Sequence, residues 1–178
     1  MSDPNANNPS SIDFILRGSL VKRFHTRDTI KEDLVGRHEH GVAMLCYFLT
    51  DGDAGRDLLM AGMTHDQGEL RTGDLPSPTK RALGTGMGSI YEMEKCALLE
   101  HKMVFVLTDD EHVILNIADN LDGMLFCIRE RRLGNEEISD IFHRYDSYVA
   151  KILEDNPMLL RSKVLTVVNE VRKLWRWE

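Results

Sequence analysis

The feature that most limits what this chain can become is a hydrophobic repeat of helical period. It runs from Ile12 to Trp177 with almost no two-residue alternation. Such a repeat gathers apolar side chains on one face of an α-helix. Ile12, Ile15, Leu16, Leu20 and Val21 fall on one face of a first helix, and Val42, Leu45, Cys46 and Leu49 on one face of a second. Asp53 stands where it would cap a third, running to about Thr64. Ser77-Pro78 has the order of an N-cap followed by a first-turn proline. Thr108-Asp-Asp-Glu111 spells a capping box ahead of a long apolar helix. Asn156-Pro157 opens the last helix, with Leu160, Val164, Val167, Val168 and Val171 inward. The fold expected is all-α, a single-domain bundle of about seven or eight helices.

The 178 residues suit one domain. Residues 12–178 are assigned to it, and 1–11, rich in Ser, Asn, Asp and Pro, to a loose tail that lacks the order of a secretory signal. No run approaches the roughly 20 apolar residues a membrane helix needs, so no membrane partner is expected. Against 29 acidic residues stand 22 basic ones, a net charge of −7 with histidine neutral. That balance disfavours nucleic acid as a partner, because a phosphate backbone calls for a basic face. It leaves room for a small anionic substrate met by a metal and a few local bases. Cys46, Cys96 and Cys127 are far apart in apolar context and are expected as reduced core residues of a cytoplasmic protein. The run Arg129-Glu-Arg-Arg132 reads as a solvated helix end, and His101, His112 and His143 as solvated histidines.

Chemistry concentrates in Met63-Thr-His-Asp-Gln-Gly-Glu69. A neutral imidazole nitrogen and a carboxylate oxygen both ligate divalent metals. His65 and Asp66 supply one of each, and Glu69 follows one turn on. Adjacent helical side chains diverge by about 100°, so a shared ion needs ligands from other helices. His38, at the start of the second helix, and Asp119, inside Leu115-Asn-Ile-Ala-Asp-Asn-Leu121, are available. A bare His-Asp pair serves a cap or a surface equally well, and an arginine partner would also settle Asp119.

The order His38 … His65-Asp66 … Asp119 resembles the signature of the HD-domain metal phosphohydrolases, in particular the YfbR-like 5′-deoxynucleotidase branch. The likeness extends through Lys22-Arg-Phe24, Val42-Ala43, Glu69, the loop Thr72-Gly-Asp-Leu-Pro-Ser-Pro-Thr-Lys80, Glu94-Lys95 and Ala118-Asp119, about residues 12–130. It departs beside the first ligand histidine. The family usually has Glu before it and Ser after it, and here Arg37 and Glu39 flank His38, with His40 as the alternative ligand. The short length also resembles the dATP triphosphohydrolases of phages that replace adenine with diaminopurine.

The resemblance implies a divalent ion (Co, Mn, Mg or Zn) held by His38, His65, Asp66 and Asp119. It makes Asp66 and Glu69 catalytic, Glu69 as a water-positioning base or a proton donor. It makes Arg23 a phosphate fork, Phe24 a wall beside sugar or base, Asp74 a sugar or water contact and Lys80 a partner for outer phosphates. The activity implied is conversion of dATP to deoxyadenosine and triphosphate. The alternatives are a 5′-deoxynucleotidase acting on monophosphates, and a nucleotide-binding module without hydrolysis. A homo-oligomer, dimer or larger, is expected.

Overall fold

The computed structural model describes residues 9–157 and 162–176. Its organising element is α6 (Asp109–Arg132), which the expected capping box starts. Thr108 Oγ1 accepts from the Glu111 backbone N–H, and the Glu111 carboxylate accepts from the Thr108 backbone N–H. At 24 residues it is about 36 Å long. It buries Ile117, Ala118, Leu121, Met124 and Cys127 completely, because neighbours cover it on several sides. These are α2 (Val35–Leu49), α3 (Arg56–Gly62), α7 (Ser139–Asp155) and α8 (Ser162–Arg176). Three further helices complete the eight among the described residues: α1 (Ser11–Gly18), α4 (Ser77–Leu83) and α5 (Met87–Glu100). β1 (Lys22–Arg23) and β2 (Asp33–Leu34) form a two-residue antiparallel pair with Arg23 opposite Asp33. The all-α expectation holds, and no described helix is long and apolar enough to cross a membrane.

Several local expectations are corrected. Residues 1–8 of the expected tail lie outside the described residues, but Ser10 caps α1 by accepting from the Asp13 N–H. The apolar stripe of α1 does not face the core. Phe14 takes the core position and stacks on His101 at 4.1 Å, while Gly18 lies against Gln67. That rotation leaves Ile12, Ile15, Leu16 and Leu20 exposed. His101 is consequently half-buried, its Nδ1 bonded to Ser11 Oγ, and not solvated. Asp53 caps nothing, since α3 starts at Arg56 behind Gly55. Cys46 and Cys127 are buried, but Cys96 is exposed on the outer face of α5. Asn156 Nδ2 donates to the Ile152 carbonyl at the end of α7, and the link from Pro157 to α8 expected of Asn156-Pro157 passes through residues 158–161, outside the described residues. Val164, Val167, Val168 and Val171 point inward as expected; Leu160 and Trp177 lie outside the described residues. Trp175 packs within the chain, stacked on Phe142 at 3.9 Å.

The largest correction concerns Glu130, which is fully buried inside the run read as solvated. Its carboxylate accepts from the Ile30 and Lys31 backbone N–H groups at 2.6 and 2.8 Å and from Asn135 Nδ2 at 2.9 Å. The last turn of α6 thereby holds the segment between β1 and β2, whose start lines the cavity described next.

Candidate active site

Three elements bring the ligand-type residues together. His38 sits in the first turn of α2 and is wholly buried. His65 and Asp66 follow α3, where the chain turns into a short 3-10 helix, Gln67–Leu70. Gly62 lets α3 approach α2: a Cβ there would lie 3.0 Å from the Ala43 Cα. Asp119 projects from α6 about three turns after its start.

The two imidazoles are oriented from behind. His38 Nδ1 lies 2.8 Å from Asp122 Oδ2, and His65 Nδ1 lies 3.1 Å from the Gly62 carbonyl. Both contacts assign the ring proton to Nδ1, which turns both Nε2 lone pairs toward the same space. Neither Nε2 makes a hydrogen bond, although both are buried. His38 Nε2 lies 3.1 Å from Asp119 Oδ1 and 3.4 Å from Asp66 Oδ2; His65 Nε2 lies 3.5 Å from Asp66 Oδ2. Ligand atoms of His38, His65 and Asp119 all fall within 4.8 Å of one another. Two orphaned imidazole nitrogens beside carboxylates are a donor set that one divalent ion fits. The alternative ligand His40 is exposed on the far side of α2 and joins none of this.

Burial and the nearby Arg23 oppose a proton on His38, but Asp119, Asp122 and Asp66 outweigh them and raise its pKa to about 9. Asp119 is held well below the usual carboxylate range: burial opposes this, and His38, His65 and Arg23 overcome it.

Sequence reasoning missed the layer beneath. Asp122 accepts both terminal nitrogens of Arg37, at 2.9 and 3.3 Å, as well as the His38 ring. Buried Asp33 accepts Arg37 Nε at 2.5 Å and Arg23 at 3.2 Å. Glu39 accepts Gln67 Nε2 at 2.6 Å and the Asp66 N–H at 3.3 Å, so it holds the turn carrying the His-Asp pair. Burial pushes the Glu39 carboxyl up to about 8. Arg37 and Glu39, the two departures from the family pattern, are thus the residues that tie α2 to its surroundings. One signal was available: Asp122 follows Asp119 by three residues, on the same face of a helix.

In front of the cluster lies a cavity of about 410 Å³, and every expected substrate residue lines it: Arg23, Phe24, Asp74 and Lys80, with Asp66, Glu69 and Asp119. Glu69 is buried, its Oε2 is unpaired and its Oε1 lies 3.7 Å from Lys80 Nζ. Burial, then Asp66 and Asp74, hold its carboxyl far above the usual range. Arg23 is mostly buried and fixed by Asp33. Phe24 has a left-handed backbone, φ 54°, and stacks on Phe126 at 4.6 Å, an uncommon conformation for a bulky residue at the cavity wall. Asp74 comes from the loop that Thr72 fastens to α5 through Glu94, at 2.6 Å, and Lys80 from α4, which follows that loop. Tyr145 of α7 closes the wall, its ring lying on Gly123, where a Cβ would meet it at 2.5 Å.

A sequence model of the YfbR-like 5′-deoxynucleotidases matches residues 12–162. Among curated proteins, the 5′-deoxynucleotidase of Photobacterium profundum is 24% identical, over 74% of this chain and 80% of that protein. The 5′-deoxynucleotidase of Shewanella oneidensis is 26% identical, over 80% and 83%. Among solved structures, the cyanophage S-2L HD phosphohydrolase DatZ, bound to dA and one catalytic Zn2+ ion, superposes with a TM-score of 0.73 at 18% identity. The match covers 90% of this chain and 95% of that one. A conserved hypothetical protein from Pyrococcus furiosus superposes with a TM-score of 0.68 at 24% identity, over 91% and 99%.

Proposed function

The chain belongs to the YfbR-like 5′-deoxynucleotidase family, and from that premise we propose that it hydrolyses the bond between a deoxynucleoside 5′ oxygen and its first phosphorus, using a divalent ion. The observation that carries this reading is the pair of unbonded Nε2 atoms of His38 and His65, converging with Asp119 on one space beside the cavity. His38, His65, Asp66 and Asp119 are the ligands proposed. A divalent ion supplies Lewis acidity toward a phosphate oxygen and a lowered pKa for water.

The chain's own residues supply the rest. Arg23, fixed by Asp33, presents its remaining N–H donors to the reacting phosphate. Lys80 adds a second cation 3.7 Å from Glu69. Glu69, kept protonated by burial, is suited to give its proton to the departing 5′ oxygen while water adds to phosphorus. The products are then a deoxynucleoside and a phosphate chain, with the proton of Glu69 restored from that water. Phe24 flanks the sugar and base, and Asp74 meets a sugar hydroxyl or water.

For the substrate we infer dATP, giving deoxyadenosine and triphosphate, as a means of depleting dATP in a phage that uses diaminopurine. The likeness to DatZ, bound to dA, supports a deoxyadenosine nucleotide. The family match and the named 5′-deoxynucleotidases favour a second reading, dNMP to deoxynucleoside and phosphate. We further infer that the protein is a cytoplasmic homo-oligomer, a dimer or larger. Ion-exchange analysis of products from each dNTP and dNMP, with Mg, Mn, Co or Zn, tests the assignment. Deoxyadenosine with intact triphosphate supports the first substrate, and deoxynucleosides with orthophosphate the second. No turnover with any ion contradicts both and leaves a nucleotide-binding module.

A further inference from the structure

The cavity lining carries charges of both signs. Four carboxylates line the cavity: Asp66 and Asp119 lie beside His38 Nε2, at 3.4 and 3.1 Å, and Glu69 and Asp74 complete the set. Two cations, Arg23 and Lys80, stand with them. The other lining cations are Arg27, Arg81 and Arg144, and none of them forms an ion pair with a lining carboxylate among the described residues. In a chain of net charge −7 this is a local reversal of sign.

Arg27 and Arg144 are built into place. Asp140, at the start of α7, accepts Arg144 NH2 at 2.6 Å and Arg27 NH2 at 3.4 Å through the same oxygen. Arg144 Nε also donates to the Asp140 carbonyl at 3.3 Å. One carboxylate thus fixes two guanidiniums and leaves a charge of +1. A guanidinium has five N–H donors, so each retains donors for a ligand. The side chains are 41% and 37% exposed, open to an arriving anion. The phosphate at the reacting end has Arg23 and Lys80 already, and a neutral sugar or base asks for no extra cation. Further negative charge on the substrate does.

Resting on the hydrolase reading above, we propose that Arg27 and Arg144, gathered by Asp140, form an anion subsite for the outer phosphates of a nucleoside triphosphate. This subsite separates triphosphate from monophosphate substrates, since a monophosphate has nothing to place there.

The test is the full-length double variant Arg27→Gln, Arg144→Gln, loaded with Mn2+ and compared with the wild type on dATP and dAMP. Loss of two charge-assisted contacts predicts a fall in kcat/KM for dATP of about tenfold or more beyond any fall for dAMP. Equal losses on both substrates, or none, overturn the subsite. A second readout does not need turnover. Calorimetry with magnesium tripolyphosphate and with orthophosphate is expected to show tighter binding of tripolyphosphate by the wild type and no such preference in the variant. A preference that survives both substitutions, or is absent from the wild type, overturns the proposal. If the wild type hydrolyses neither nucleotide, the hydrolase reading fails, and the calorimetry still decides the subsite.

Discussion

At the scale of single residues, the account rests on how His38 is held. Its Nδ1 faces Asp122, itself clamped by Arg37, and this leaves Nε2 free for a metal. Replacing such a carboxylate partner costs about tenfold to a hundredfold in metal affinity. Asp122→Asn is expected to show a loss in that range by competition with a chelator, with the helical circular-dichroism signal unchanged. Glu69→Gln is expected to keep its metal, measured by elemental analysis, and to lose roughly a hundredfold or more in turnover, as removal of a proton donor implies. Proton linkage gives a further expectation. Metal-free, His38 keeps its proton to about pH 9, whereas the unfolded residue titrates near 6.5. Its stabilisation is therefore complete below pH 6.5 and lost as pH rises through 9. Glu39, raised from 4.5 to about 8, changes stability in the same direction. Thermal melts of the chelated protein should fall between pH 6.5 and 9, and saturating metal should flatten that fall. The ligand-type residues were legible in the sequence because the His-Asp pair and its loop carry a recognisable spelling. Asp33, Asp122 and Glu39 were not, because their partners are set by helix packing and not by spacing.

At the scale of elements, helices announced themselves through periodicity and caps, and Thr108 behaves as its capping box implies. The faces of short helices did not. In α1 one aromatic residue, Phe14, outcompetes an aliphatic stripe for the core, and period alone cannot rank them. Glu130 shows the same limit: in the chain it stands among arginines, and its partners at Ile30 and Lys31 lie 100 and 99 residues away. Glu130→Ala would remove the acceptor of both N–H groups, and a hydrogen bond to a charged group contributes about 1.5–3 kcal/mol. Denaturant unfolding should show a loss of about 2–5 kcal/mol on that ground. The site depends equally on how closely α2 and α3 pack. A methyl at Gly62 would lie 3.0 Å from the Ala43 Cα, so Gly62→Ala should spread the two helices and separate His38 from His65. Overpacking of this kind costs about 1–3 kcal/mol. Here chelator competition should also reveal weaker metal binding, which a plain loss of stability would not produce.

At the scale of the whole molecule, a helical bundle centred on α6 brings α2, the turn after α3 and α6 together beside a cavity, and α7 with the 24–27 segment adds to its wall. An acidic chain thereby encloses a cavity lined by five basic residues, Arg23, Arg27, Lys80, Arg81 and Arg144. The fold class and the meeting of His38, His65 and Asp119 were legible from sequence, and the three further cavity arginines were not, because Arg27, Arg81 and Arg144 come from distant segments without any shared motif. A ligand that binds only the folded state raises the melting temperature, so a saturating divalent ion should stabilise the wild type and leave Asp119→Ala unmoved. The most direct measurement is anomalous diffraction from crystals grown with Zn2+ or Mn2+. The account predicts one peak at bonding distance, about 2.0–2.2 Å, from His38 Nε2, His65 Nε2 and the oxygens of Asp66 and Asp119. A peak elsewhere with this cluster empty, in protein that still hydrolyses deoxynucleotides, would contradict it.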